Sequence, residues 1–165
     1  MIGLIALFFI VSCGGKGTVR SGEASDSGPS SVVLREIAGE WEAENLGDVM
    51  EQYGYSLPAK FTFRENGTYV WEYVRGGRKI RETGRFILID IEQEPYKIDF
   101  IREKTGPVGQ DMEDVPDQSL GIFSFTENGR LRTIFYNKNF LGRPKKFGDT
   151  ETQIYRKVSP REPAN

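Results

Sequence analysis

The chain has 165 residues, 38% apolar and 12% aromatic, enough for one core with appendages but not for a second core. With 22 basic and 24 acidic side chains the formal charge is −2, which gives no electrostatic reason to expect a nucleic-acid partner. There is no histidine, which excludes a Ser-His-Asp triad, a Cys-His dyad and His-ligated zinc or haem; Cys13 is the single cysteine, so no intramolecular disulfide can form.

Residues 1–12, Met-Ile-Gly-Leu-Ile-Ala-Leu-Phe-Phe-Ile-Val-Ser, are an uncharged apolar run that ends directly at Cys13. A bilayer-spanning helix needs roughly 20 apolar residues, so this run is too short to span and matches the h-region of a signal peptide. The basic residues that normally precede such a region are missing. Ile10-Val11-Ser12-Cys13 resembles the bacterial lipobox, in which an aliphatic and a small residue precede a lipid-modified cysteine. The resemblance implies cleavage before Cys13, diacylglyceryl attachment to its sulfur, and export to the cell envelope with a membrane anchor. Gly14, where an aspartate would retain the protein in the inner membrane, implies the outer membrane in a Gram-negative cell. Residues 13–31 carry the cysteine and then a Gly/Ser-rich tract with almost nothing to bury, a flexible tether with an r.m.s. length of about 25 Å.

The folded domain is expected over 32–158, with a polar tail at 159–165. Residues 38–44 alternate, with Trp41 and Ala43 on one face and three glutamates on the other, and read as the first strand. Residues 46–54 read as a short helix with Asp48 as N-cap and Gly54 as its stop. In 59–74 an alternating run meets Glu65-Asn66-Gly67 and leaves into a second alternating run, and the pattern returns at Phe123-Ser124-Phe125-Thr126-Glu127-Asn128-Gly129. Both are hairpin signals. A type I turn with the glycine as a bulge sets Phe63 opposite Tyr69, Phe61 opposite Trp71 and Phe125 opposite Leu131, and this register alone keeps one face apolar.

Arg75-Gly76-Gly77 turns the chain into a strand over 78–89, where Ile80, Glu82, Gly84, Phe86 and Leu88 share a face and Gly84 permits a bend. Residues 96–103 alternate again, with Tyr96, Ile98 and Phe100 opposite Lys97, Asp99 and Ile101. A long connection is expected over 104–119, then the 120–136 hairpin, a loop over 137–147 and a last strand over 152–158. Eight strands with no room for crossover helices predict an all-β fold: an eight-stranded antiparallel up-and-down barrel with one short helix, because closure removes sheet edges.

Gly39-Glu40-Trp41 on the first strand and Arg156 on the last resemble the lipocalin arrangement, in which an arginine packs over that tryptophan. Over 36–158, the order Gly-Glu-Trp, Thr83-Gly84-Arg85-Phe86, Pro95-Tyr96-Lys97-Ile98-Asp99, Gly121-Ile122-Phe123 and Arg143-Pro144-Lys145-Lys146-Phe147 resembles an uncharacterised lipocalin-like domain family abundant in planctomycetes and other bacteria. The resemblance implies the barrel, with Gly39, Trp41 and Arg156 as structural residues, and implies no activity.

Phe61, Phe63, Tyr69, Trp71, Tyr73, Phe86, Phe100, Phe123 and Phe125 are expected to point inward, where they either line an apolar ligand cavity or fill the core. Glu82 is the one acid facing inward near mid-strand, able to hold a polar head or act as a general acid if desolvated. Asp111, Glu113, Asp114 and Asp117 could offer oxygens to calcium, but their spacing lacks the EF-hand glycine and terminal glutamate. Lys138, Arg143, Lys145 and Lys146, interleaved with Phe140 and Phe147, form a basic stretch suited to anionic headgroups. Three functions follow from these residues. One is an envelope lipoprotein whose barrel binds a small apolar or amphipathic molecule, without catalysis or cofactor. Another is a packed barrel whose loops bind or inhibit an envelope protein. The third is a small hydrolase or isomerase using Glu82 or Asp99.

Overall fold

The computed structural model describes residues 29–158. The signal peptide expected at 1–12, the lipidation expected at Cys13, the stretch expected as tether up to residue 28 and the tail at 159–165 lie outside the described residues. Eight antiparallel strands close into an up-and-down barrel in sequence order, the last pairing with the first. They are β1 (Gly39–Asn45), β2 (Tyr55–Phe63), β3 (Thr68–Arg75), β4 (Arg78–Asp90), β5 (Tyr96–Pro107), β6 (Glu113–Phe125), β7 (Leu131–Asn137) and β8 (Gln153–Lys157). Two helices accompany them, α1 (Pro29–Ile37) and α2 (Asp48–Gln52).

The repeated hairpins adopt the bulged register. Phe61 faces Trp71, Phe63 faces Tyr69 and Phe125 faces Leu131. Gly67 and Gly129 take φ of 79° and 68°, conformations that only glycine adopts without strain, and each donates its N–H to the residue that opens the turn. The bend expected at Gly84 is a register shift in the β4–β5 ladder, with Thr83 opposite Lys104 and Gly84 opposite Arg102. The strands cross so closely there that a Cβ on Gly84 would lie 2.1 Å from the Ile101 carbonyl oxygen.

Four expectations are corrected. Residues 104–119 are not a connection: β5 continues to Pro107, β6 starts at Glu113, and Lys104 and Thr105 pair with Asp114 and Glu113 across a short turn. Charged residues and Pro116 mask this extension, because it runs beyond the apolar core and is offset by a bulge between Arg102 and Lys104. Asp48 opens α2 as its first helical residue, and the N-cap is Gly47, at φ of 76°, which has no side chain to cap with. The first turn of α2 instead uses the Thr150 carbonyl, which accepts from Val49 N–H at 3.1 Å. A second helix is present: α1 starts inside the stretch read as tether, with proline at its first position and Val33 and Ile37, four apart, buried on one face.

The residue over Trp41 also differs from the expected one. Arg156 points outward and pairs with Glu42, while the cation over the indole is Lys157, with Nζ 5.1 Å from the ring centroid. Strand alternation explains the exchange, since Lys157 is the direct cross-strand partner of Trp41 and Arg156 that of Glu42. Lys157 also donates to the Glu36 carbonyl, and Trp41 Nε1 to the Ile37 carbonyl at 2.7 Å, so both tie α1 to the strand ends. Gly39, with φ of 122°, lets the chain leave α1 in this direction beside the Lys157 side chain.

These contacts close one end of the barrel. Trp41, Phe63, Phe86 and Phe123 are buried there, with Phe125 half-buried against Trp41. The opposite end, beside α2 and the loop 138–152, is where the site lies.

Candidate functional site

A cavity of about 490 Å³ opens at this end of the barrel. Of the residues expected to face inward, Tyr69, Trp71, Glu82 and Phe100 lie on its wall. Phe61, Phe63, Phe86, Phe123 and Phe125 do not, and belong to the apolar core that continues from the cavity wall, with Phe61 stacked on Trp71. Tyr73 is buried beside the site, its ring 4.2 Å from that of Trp71. The barrel is therefore filled at one end and hollow at the other.

The remaining wall comes from residues that sequence patterning did not assign to a barrel cavity, among them Asp117, expected as a calcium oxygen, and Phe140, expected in the basic stretch. Tyr55 of β2 stacks on Trp71 with centroids 5.7 Å apart, and the Arg75 guanidinium lies 4.9 Å from the Tyr55 ring centroid. Phe135 of β7 meets Trp71 edge-on at 5.4 Å. At the rim, Val49, Met50 and Tyr53 from α2 face Phe140 and Leu141 from the loop after β7, and Tyr53, Phe140 and Leu141 are exposed.

Three charges from adjacent strands meet in the wall. Arg102 Nη2 donates to Asp117 Oδ2 at 2.8 Å and its Nε to the Val115 carbonyl at 3.1 Å. Asp117 also accepts from Asn137 Nδ2 and, at 2.8 Å, from Gln118 N–H. Glu82 is only 9% exposed, accepts from the Tyr69 hydroxyl at 2.8 Å, and meets Arg102 Nη1 at 3.4 Å. Burial raises the Glu82 carboxyl pKa, outweighing the Tyr69 hydrogen bond and the Arg102 charge that lower it. Tyr69 and Tyr73 are pushed up by burial first and by the Glu82 charge second, so both hydroxyls remain protonated donors.

Trp71 Nε1 is buried without a hydrogen bond of ordinary geometry, although the Tyr155 hydroxyl lies near enough to feel it. That hydroxyl donates to Gln153 Oε1 at 2.7 Å, and Gln153 lines the cavity.

Arg102 was within reach of the alternation argument, since it shares a face with Phe100 two residues earlier. Asp117 was hidden by the unrecognised extension of β6. Glu82 and Asp99 are not brought together. Asp99 faces outward, where Arg143 Nη2 donates to its carboxylate while Arg143 Nη1 donates to the Ile98 and Gly121 carbonyls at 2.9 and 2.7 Å. This withdraws Arg143 from the basic stretch. The Arg132 guanidinium covers the Phe147 ring, Lys138 donates to Gln118 Oε1, and Lys145 and Lys146 remain exposed. The proposed calcium oxygens are dispersed: Asp114 faces Lys104 and Asp117 faces Arg102, and no group of three or more acidic side chains able to hold a metal occurs among the described residues.

No protein-family model matches the chain, and no significant match is found among curated proteins or solved structures. The closed eight-stranded barrel with a one-ended cavity is compatible with a lipocalin-like ligand-binding fold.

Proposed function

We propose that this chain is an exported envelope lipoprotein, anchored through Cys13, whose barrel binds a small apolar or amphipathic molecule. The observation that carries the binding reading is the cavity of about 490 Å³, with an aromatic wall and a few convergent polar groups, the usual make-up of a small-molecule site. The lipobox-like sequence supports the anchor. Native mass spectrometry of the protein, released gently from its own membranes, tests both halves. A discrete added small-molecule mass and a diacylglyceryl-modified Cys13 are expected. An apo mass that stays unshifted on adding fatty acids, alcohols and amines refutes ligand binding, and an unmodified cysteine refutes the anchor.

A second reading, an interaction module for an envelope protein, is favoured by the exposed Phe140 at the rim, 83% accessible, with Leu141 and Tyr53 beside the same mouth. Cross-linking from position 140 in intact envelopes tests it, with a stoichiometric protein adduct expected on that reading and none on the first.

A further inference from the structure

We propose that the ligand of this cavity carries a positive charge: a small amphiphile with one ammonium group, seated on Glu82 inside the aromatic wall. This assignment rests on the ligand-binding reading above and adds the chemical class.

Most charges around the cavity are already committed. Arg102 is held by Asp117 and the Val115 carbonyl, and Asp117 is in turn held by Arg102, Asn137 and a backbone N–H. These two groups neutralise one another. Arg75 lies over the Tyr55 ring. Glu82 is the group left over. Its one close partner is the neutral Tyr69 hydroxyl, while Arg102 approaches no nearer than 3.4 Å. An ionised carboxylate offers about four acceptor positions, so Glu82 has unused acceptor capacity in a place that solvent barely reaches.

Glu82 and Asp117 against Arg102 leave this buried cluster one negative charge in surplus. An anionic head would meet that surplus with Arg102 already engaged and Arg75 held over the Tyr55 ring nearer the rim. A neutral hydroxyl would gain an ordinary hydrogen bond. An ammonium would gain a charge-assisted hydrogen bond and the attraction of the surrounding rings, among them Tyr55, Trp71 and Phe100.

The bound cation requires Glu82 in its ionised form, so binding in the acid range releases the carboxyl proton to solvent. The titratable and charged groups that face it are Tyr69 and Tyr73 from β3, Tyr55 from β2, Arg102 from β5 and Asp117 from β6, with Arg75 and Glu151 nearer the rim. The tyrosines are displaced upward by burial and stay neutral throughout that range. Amine affinity therefore rises with pH until Glu82 is fully ionised.

Three probes of equal chain length, n-octylamine, 1-octanol and octanoate, separate the possibilities when titrated into the full chain with tryptophan emission as readout. Trp71 lies on the cavity wall, whereas Trp41 is buried at the closed end. The amine is expected to bind on the order of tenfold tighter than the alcohol at pH 7.5, with octanoate weakest. In Glu82→Gln the amine should lose its advantage and fall to the affinity of the alcohol, while octanol, which still finds an amide oxygen to donate to, binds saturably and shows that the cavity is intact. Octanol or octanoate binding as tightly as octylamine overturns the charge assignment and leaves the ligand-binding reading standing. No saturable response to any of the three overturns that reading itself.

Discussion

Replacing Arg143 with methionine keeps the aliphatic volume and removes the fork that pins the loop 138–152 to the outer wall. Two carbonyl acceptors, Ile98 and Gly121, lose a charged donor, and Asp99 keeps only the Gln118 amide at 3.1 Å. Breaking a fully buried ion pair typically costs about 3–5 kcal/mol. The Arg143 and Asp99 side chains are 21% and 12% exposed, so solvent can re-satisfy part of the loss, and about 3 kcal/mol is expected. For a domain of this size that corresponds to a fall in Tm of roughly 10 °C. Urea unfolding followed by tryptophan emission and far-UV circular dichroism measures it. Because the loop carries Phe140 and Leu141 to the cavity mouth, the same substitution should weaken octanol binding even where the barrel remains folded. A double-mutant cycle with Asp99→Asn should show coupling on the order of 1–2 kcal/mol. A cost for Arg143→Met below about 0.5 kcal/mol, or strict additivity in the cycle, would refute the pin.

Further outcomes follow from the same contacts. Glu82 has its folded pKa raised by burial, so its favourable contribution is complete below the ordinary value of 4.5 and is lost as pH rises through the folded value. Glu82→Gln should therefore be more stable than the parent at pH 7, with the gap closing toward pH 4; urea midpoints at the two pH values check the sign, and a gap that widens toward acid contradicts it. Gly84→Ala should destabilise by about 3 kcal/mol or more, since its Cβ meets backbone rather than a movable side chain, and the denaturation midpoint reads this directly. Lys157→Met should cost about 1 kcal/mol through loss of the contact with Trp41 and the bond to Glu36, whereas Arg156→Met, in an exposed pair, should cost close to nothing. Equal losses in the two variants would argue against Lys157 as the residue that fastens α1 to the barrel.

Local patterning determined much of this molecule. Alternation with a period of two, together with Asn66-Gly67 and Asn128-Gly129, set the hairpins, their bulged register and the inward direction of Glu82, because a slip of one residue would have turned every aromatic outward. Eight such strands with no crossover helices implied closure, and the barrel followed. The same rules failed wherever a strand ran past its apolar core, as in Lys104 to Pro107 and Glu113 to Ser119, where pairing continues without a hydrophobic face to announce it. They failed again at Trp41, where only the β1–β8 register decides between Arg156 and Lys157. The site itself belongs to tertiary structure. Glu82, Arg102 and Asp117 come from three strands and meet only because β5 lies between β4 and β6. Whether the aromatics filled the barrel or left a cavity depended on which end α1 closed and where α2 and the loop after β7 stopped, and these are distances between elements that no single stretch of sequence encodes.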